Sequence, residues 1–257
     1  MKLFYSLYLC LLSAVSVFAA DSISVSYDQL YIDNNANVYA TTAQGIYKYN
    51  KNLVLQSSFE YNKYGAPSSI DLHIPMKVLL YFAAYNKFVV LDNRLAVVRE
   101  IDINKINEDF NNVLCFSADN NFWMFDNSKQ SLIKYNQNLS IIHQYENMNL
   151  RMNQFVQIQK MAETNNYLVL SDSATGFYIF DILGNYVTHF SLPGVTSYQL
   201  IDNLLFYVQD LKLHSIDILT QYNKEYEIVF DNTIRDFKIS GSKIVLLTDK
   251  QIIMKDL

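Results

Sequence analysis

Apolar residues along this chain gather in short runs of about five to eight positions, each closed by a turn-forming residue. Between residues 112 and 146 four such runs follow one another: "NVLCFSA" (112–118), "FWMFD" (122–126), "SLIKYN" (131–136) and "LSIIHQYE" (139–146). They are rich in β-branched and aromatic residues and have the length of strands. The following stretch repeats the order with "FVQIQKMA" (155–162), "YLVLSD" (167–172), "GFYIFD" (176–181) and "YVTHFSL" (186–192). Beyond the first twenty residues no segment keeps a 3.6-residue apolar period over the ten or more positions that a helix requires. The pattern therefore predicts an all-β chain built from four-strand units.

A second regularity sets the size of the unit. "YKYNKNL" at 47–53 returns as "IKYNQNL" at 133–139, and "VVLDNRL" at 89–95 has the same order of apolar, Asx, polar and Leu positions. The Asp or Asn that ends such a run falls at Asn50, Asp92, Asn136, Asp181, Asp217 and Asp256, at spacings of 42, 44, 45, 36 and 39 residues. Each marker predicts the hairpin between the third and fourth strands of a unit, because a short Asx side chain bonds the backbone two residues on and tolerates left-handed dihedrals. The last unit, "IRDFKIS", "KIVLLTD", "QIIMKD", stops after three strands, while "SISVS" (22–26) is spare at the start. Pairing these ends closes a ring and removes an open edge.

The six Asx turns, spread over essentially the whole chain after its first twenty residues, resemble those of the six-bladed β-propeller family. That resemblance implies one rigid domain, 20–257, and it implies no particular chemistry. The bias toward Asn, Lys, Ile and Tyr resembles exported Bacteroidetes envelope proteins. Size, export and overall style are similar to the Plug component of the type IX secretion translocon, which implies a periplasmic protein that closes an outer-membrane protein-secretion pore.

The beginning of the chain carries the export expectation. Lys2 precedes a mostly apolar run from Leu3 to Val17, and Val17 and Ala19 stand at small-residue cleavage positions, which reads as a signal peptide over 1–19. The run is shorter than the roughly 20 residues of a spanning helix, and Asp21 follows at once, so a membrane anchor is the weaker reading. "LYLC", ending at Cys10, has the look of a lipobox but ends its apolar segment too early. Cleavage leaves Cys115 alone, so no intrachain disulfide can form. It also leaves 19 Lys and Arg against 25 Asp and Glu, an acidic balance with no basic block. That argues against nucleic acid and anionic lipid as partners, and no direct membrane insertion is expected.

Candidate chemistry is sparse. Asp126, Asp172, Asp210 and Asp249 recur at the ends of second strands, where turn formation explains them better than a metal site does. His73, His143, His189 and His214 lie in four strand contexts without metal-ligand spacing. Cys115 sits in an apolar run, as a buried small hydrophobe would. First strands offer Asp71, His73, Asp202 and Asp236 to a central channel, the place where propeller hydrolases and lyases gather such groups. No repeated inner-strand polar pattern accompanies them, so the expectation is no enzyme, no catalytic or metal-binding residue and no cofactor.

The chain has 20 Tyr, 16 Phe and one Trp. The segments 57–69 and 103–112 read as long connections mixing polar and aromatic residues, where binding on a rigid scaffold usually resides. The sequence thus predicts a non-catalytic protein-interaction module, periplasmic and held to the outer membrane through a protein partner. The alternative is a periplasmic or secreted propeller that binds a small ligand or glycan, with hydrolase or lyase action as its extension.

Overall fold

The computed structural model describes residues 22–23, 26–72, 74–104, 112–230 and 233–257. Residues 1–19, read from the sequence as a signal peptide, His73 and most of the 103–112 connection lie outside these residues. A first short strand, β1 (Ser22–Ile23), precedes the units. The first blade is β2 (Gln29–Ile32), β3 (Val38–Thr41), β4 (Gly45–Tyr49) and β5 (Leu55–Glu60). The second is β6 (Ser69–Asp71), β7 (Lys77–Phe82), β8 (Lys87–Asp92) and β9 (Val97–Asp102). The third is β10 (Asn112–Phe116), β11 (Phe122–Asp126), β12 (Ser131–Tyr135) and β13 (Ile141–Tyr145). The fourth is β14 (Lys160–Glu163), β15 (Tyr167–Asp172), β16 (Gly176–Asp181) and β17 (Tyr186–Phe190). The fifth is β18 (Tyr198–Ile201), β19 (Leu204–Gln209), β20 (Lys212–Asp217) and β21 (Asn223–Val229). The last contributes β22 (Ile234–Ser240), β23 (Lys243–Thr248) and β24 (Ile252–Asp256).

Among the described residues these strands form six four-stranded antiparallel sheets, and the sixth has the order β1-β24-β23-β22. Ser22 pairs with Ile253 and Ile23 with Ile252, so the first strand of the chain supplies the missing outer strand of the last blade. The protein is a six-bladed β-propeller closed by its N-terminal segment.

The core follows from this arrangement. Each blade packs both faces against its neighbours, so middle strands are apolar on both sides, and "FWMFD" in β11 is buried at every position. Six apolar clusters result, one at each blade interface. Trp123, Phe125 and Leu132 meet Leu168, Tyr178 and Phe180 between the third and fourth blades, while Leu30 and Val38 meet Val245 and Ile252 at the closure. The middle of the ring is left open.

The repeated turn is built as its repetition demands, with one correction. The Asn50 Oδ1 accepts from the amides of Asn52 and Val54 at 2.9 and 3.0 Å. Asp92 does the same for Arg94 and Ala96, Asn136 for Asn138 and Ser140, and Asp181 for Leu183 and Asn185. The left-handed residue is not the Asx but the one three places on: Leu53 (φ 56°), Leu95 (φ 64°), Leu139 (φ 66°) and Gly184 (φ 86°). A left-handed Leu is strained by about 1–2 kcal/mol, and burial of Leu53 and Leu95 offsets that cost.

Two connections differ from the expected bounds. Residues 57–60 belong to β5, whose alternating exposure hides it from a search for apolar runs, so the loop itself is 61–68. Residues 155–159 are not strand. They belong to a connection that contains one helical turn, α1 (Met148–Arg151), and tucks Met148, Met152, Val156 and Ile158 into the third interface. Asn127 and Gln130 bond the backbone of Val156 and Ile158 much as a strand would. Among the described residues no helix is long and apolar enough to cross a membrane.

Candidate functional site

The innermost strand of a blade has no sheet neighbour on its channel side, so its backbone groups there need other partners. Polar side chains of adjacent blades supply them. Asp71 Oδ2 accepts from the Phe116 amide at 2.6 Å, and Asp236 Oδ2 accepts from the Leu30 amide at 3.3 Å. Gln199 makes both bonds to Ile239, accepting from its amide at 2.6 Å and donating to its carbonyl at 3.0 Å. Glu163, buried at 3% exposure, accepts from Trp123 Nε1 (2.5 Å), the Ala118 amide (2.7 Å) and Ser117 Oγ (3.0 Å). These side chains staple one blade to the next around the ring.

Inside the ring lies a channel of about 700 Å³. Asp71, Asp202 and Asp236 all line it, Asp71 and Asp236 from first strands as expected and Asp202 from the turn just past β18, together with Tyr31, Lys160, Glu163, Tyr198, Arg235 and Lys238. Asp71 and Asp236, however, are engaged as staples, and Asp236 also receives Ser197 Oγ at 2.5 Å and Lys238 Nζ at 3.1 Å. Burial raises the Tyr31 phenol far above its ordinary range, with the charges of Asp236 and Asp71 adding to it, and burial pushes Tyr198 up to about 12. Both phenols therefore stay protonated. Water reaches Lys160 along the channel, yet the surrounding walls desolvate its ammonium and lower its pKa, with Asp236 opposing and Lys238 adding to the shift. Lys160 and the Gln199 amide carried no motif in the sequence, and only ring closure makes them channel residues.

The remaining candidates among the described residues do not line the channel. Asp126 and Asp172 cap the turns that follow them, accepting from the amides of Lys129 and Ala174. His189 stacks on Tyr178 with centroids 4.4 Å apart and bonds the Thr175 carbonyl, and His214 stacks on Tyr207. His143 is exposed on β13. Cys115 is fully buried, which drives its thiol pKa up. Among the described residues no group of three His, Cys, Asp or Glu side chains is placed to hold a metal ion.

A second surface stands out on the exterior. In an antiparallel blade the first and third hairpins share one end of the disc. At that end, the third hairpins and the starts of the fourth strands expose Val54 and Leu55, Val97 and Val98, Ile141 and Ile142, Ile182, Leu183 and Val187, then Leu219 and Tyr222. Five consecutive blades thus carry solvent-facing apolar side chains at equivalent outer positions.

No family model matches the chain, and no curated protein matches it. Among solved structures it is similar to the Neurospora crassa Pan2 WD40 domain, with a TM-score of 0.65 and 7% identity over 92% of this chain and 94% of that one. It is also similar to a catalytically inactive virginiamycin B lyase from Staphylococcus aureus with quinupristin, with a TM-score of 0.59 and 15% identity over 93% and 87%. At such identities the β-propeller fold is what these chains share.

Proposed function

We propose that the chain is an exported, non-catalytic propeller that works by contact with a protein in the Gram-negative envelope. We further propose that it closes the periplasmic end of an outer-membrane protein-secretion channel in the manner of the type IX translocon Plug. The apolar arc at the outer edge of one end of the disc carries this reading. Apolar patches of this kind mark contact sites when they are contiguous, and an arc on the perimeter suits the wall of a pore mouth better than a single peptide. The leader-like segment at the start of the chain supports export. A non-catalytic role is supported by the channel itself, where Glu163, Asp71 and Asp236 hold backbone instead of standing free.

Affinity purification from gently solubilised envelopes of the producing cell tests the reading. A large β-barrel protein should accompany the tagged chain, and V98D with L183D should release it while leaving the melting temperature unchanged. A deletion strain should have a leaky outer membrane. Recovery of the chain alone, with unchanged permeability in the deletion strain, would refute the proposal.

A further inference from the structure

One cation in the channel has no partner. Lys160 lines the channel from the start of β14, and among the described residues its ammonium makes no ion pair or hydrogen bond. The other two channel cations are engaged. Lys238 holds Asp236 and the Phe237 carbonyl, and Arg235 holds the Tyr27 carbonyl at 3.3 Å and Asp249 at 3.6 Å. The acidic side is in surplus, with Asp28, Asp33, Asp71, Glu163, Asp202 and Asp236 facing three cations. Among the described residues the carboxylates of Asp28 and Asp202 accept no hydrogen bond.

This charge pattern selects a class of ligand. A dianion would meet Lys160 but also six carboxylates, and like charges brought together in a walled channel repel strongly. A simple cation would suit the carboxylates and leave the ammonium of Lys160 without a counter-charge. A neutral molecule would use neither. We propose that the channel binds a small zwitterion, with its carboxylate on Lys160 and its ammonium among the surplus carboxylates beside the rings of Tyr31 and Tyr198. Asp236 accepts from the Leu30 amide and the Ser197 hydroxyl, the chain neighbours of Tyr31 and Tyr198, and Lys160 lines the same channel, so these groups share one region. The Tyr31 hydroxyl donates to Gln29 Oε1 and that of Tyr198 to Ser171 Oγ, so each phenol oxygen is left to accept from the ligand's ammonium, and its ring face attracts that ammonium. The volume of about 700 Å³ falls within the roughly 300–1,000 Å³ of ordinary ligand sites and accommodates an amino acid or a short peptide with free ends.

The test uses the purified chain and three probes that differ in which end is charged: alanylalanine, its N-acetyl derivative and its C-terminal amide. Titration calorimetry or ligand-observed NMR should show saturable binding of alanylalanine. Each blocked form should bind at least about tenfold more weakly, the size of one lost charge-assisted hydrogen bond. K160M should bring alanylalanine down to the level of the amide, leave the amide unchanged and keep the parental melting temperature, whereas K160R should retain preference for the free carboxylate. Failure of alanylalanine to bind, equal binding of either blocked form, or parental affinity in a folded K160M variant would each overturn the assignment. The measurement needs no partner, so its outcome is independent of the contact proposed for the outer arc.

Discussion

Glu163 tests whether polar staples, as well as apolar interfaces, hold the ring together. Its carboxylate is buried at 3% exposure and receives three donors from the third blade, one of them the indole of Trp123, which is fully buried. In E163A these donors lose their acceptor. An unsatisfied buried donor costs about 1–3 kcal/mol. The Ser117 hydroxyl can rotate toward another acceptor, but the Ala118 amide and the indole N–H cannot. The expected loss is about 4 kcal/mol, near the upper end for a single substitution. For a domain of this size that corresponds to about 8–16 °C in melting temperature.

Urea unfolding measures the loss directly. The midpoint should fall with an unchanged slope, as for a mutation that alters stability but not compactness. Trp123 is the single tryptophan, so its emission reports on this site in the folded state and should move to the red in E163A as water reaches the vacated pocket. W123F, followed by circular dichroism, completes a double-mutant cycle in which groups in contact couple by about 0.5–3 kcal/mol. An E163A variant within about 1 kcal/mol of the parent, or a coupling indistinguishable from zero, would show that the staples contribute nothing beyond packing.

Other expectations follow from individual turns and termini. G184L writes at the fourth marker turn the residue found at 53, 95 and 139, but a Cβ there would stand 2.6 Å from the Tyr145 ring and 3.1 Å from Trp123. It should destabilise the protein by about 1–3 kcal/mol by thermal melting, and a neutral result would mean that Tyr145 moves aside freely. Burial of the Asp119 carboxyl works against its ionisation, yet hydrogen bonds from Lys134, Ser117 and Asn121 prevail and hold its pKa at about 2 instead of 3.8. Because the folded pKa is depressed, this contribution to stability is present above about pH 4 and is lost as pH falls toward 2. Acid titrations of unfolding should therefore be flatter over that interval in K134M, and identical curves would remove Asp119 from the account. Deleting residues 21–26 removes the β1 pairing to Ile252 and Ile253 and should lower the melting temperature and yield oligomers on size exclusion, since it bares the edge of β24; a monomer of parental stability would count against closure.

Much of the fold is legible in the chain itself because repetition makes it redundant. Asn50, Asp92, Asn136 and Asp181 mark the same hairpin, and the apolar runs between them can be read as strands one at a time. The spare "SISVS" and the unit that stops after three strands locate the ring closure for the same local reason. The fourth strands are less legible. In "LQSSFE" the outer position in the blade permits polar residues on both sides, so hydrophobic periodicity fades where burial does.

The channel depended on the tertiary structure. Asp71 and Asp236 carry no sequence mark that distinguishes a staple from a free acid, because the amides they bond belong to other blades, 45 and 206 residues away. Glu163 reaches 40 residues back to Trp123, and Lys160 becomes a channel residue only because closure of the ring brings the other blades around it. Strand patterning reports which faces are buried, a local property of alternating side chains. Which charges meet inside the ring depends on the angle and register at which six separate blades come together, and no short stretch of sequence encodes that.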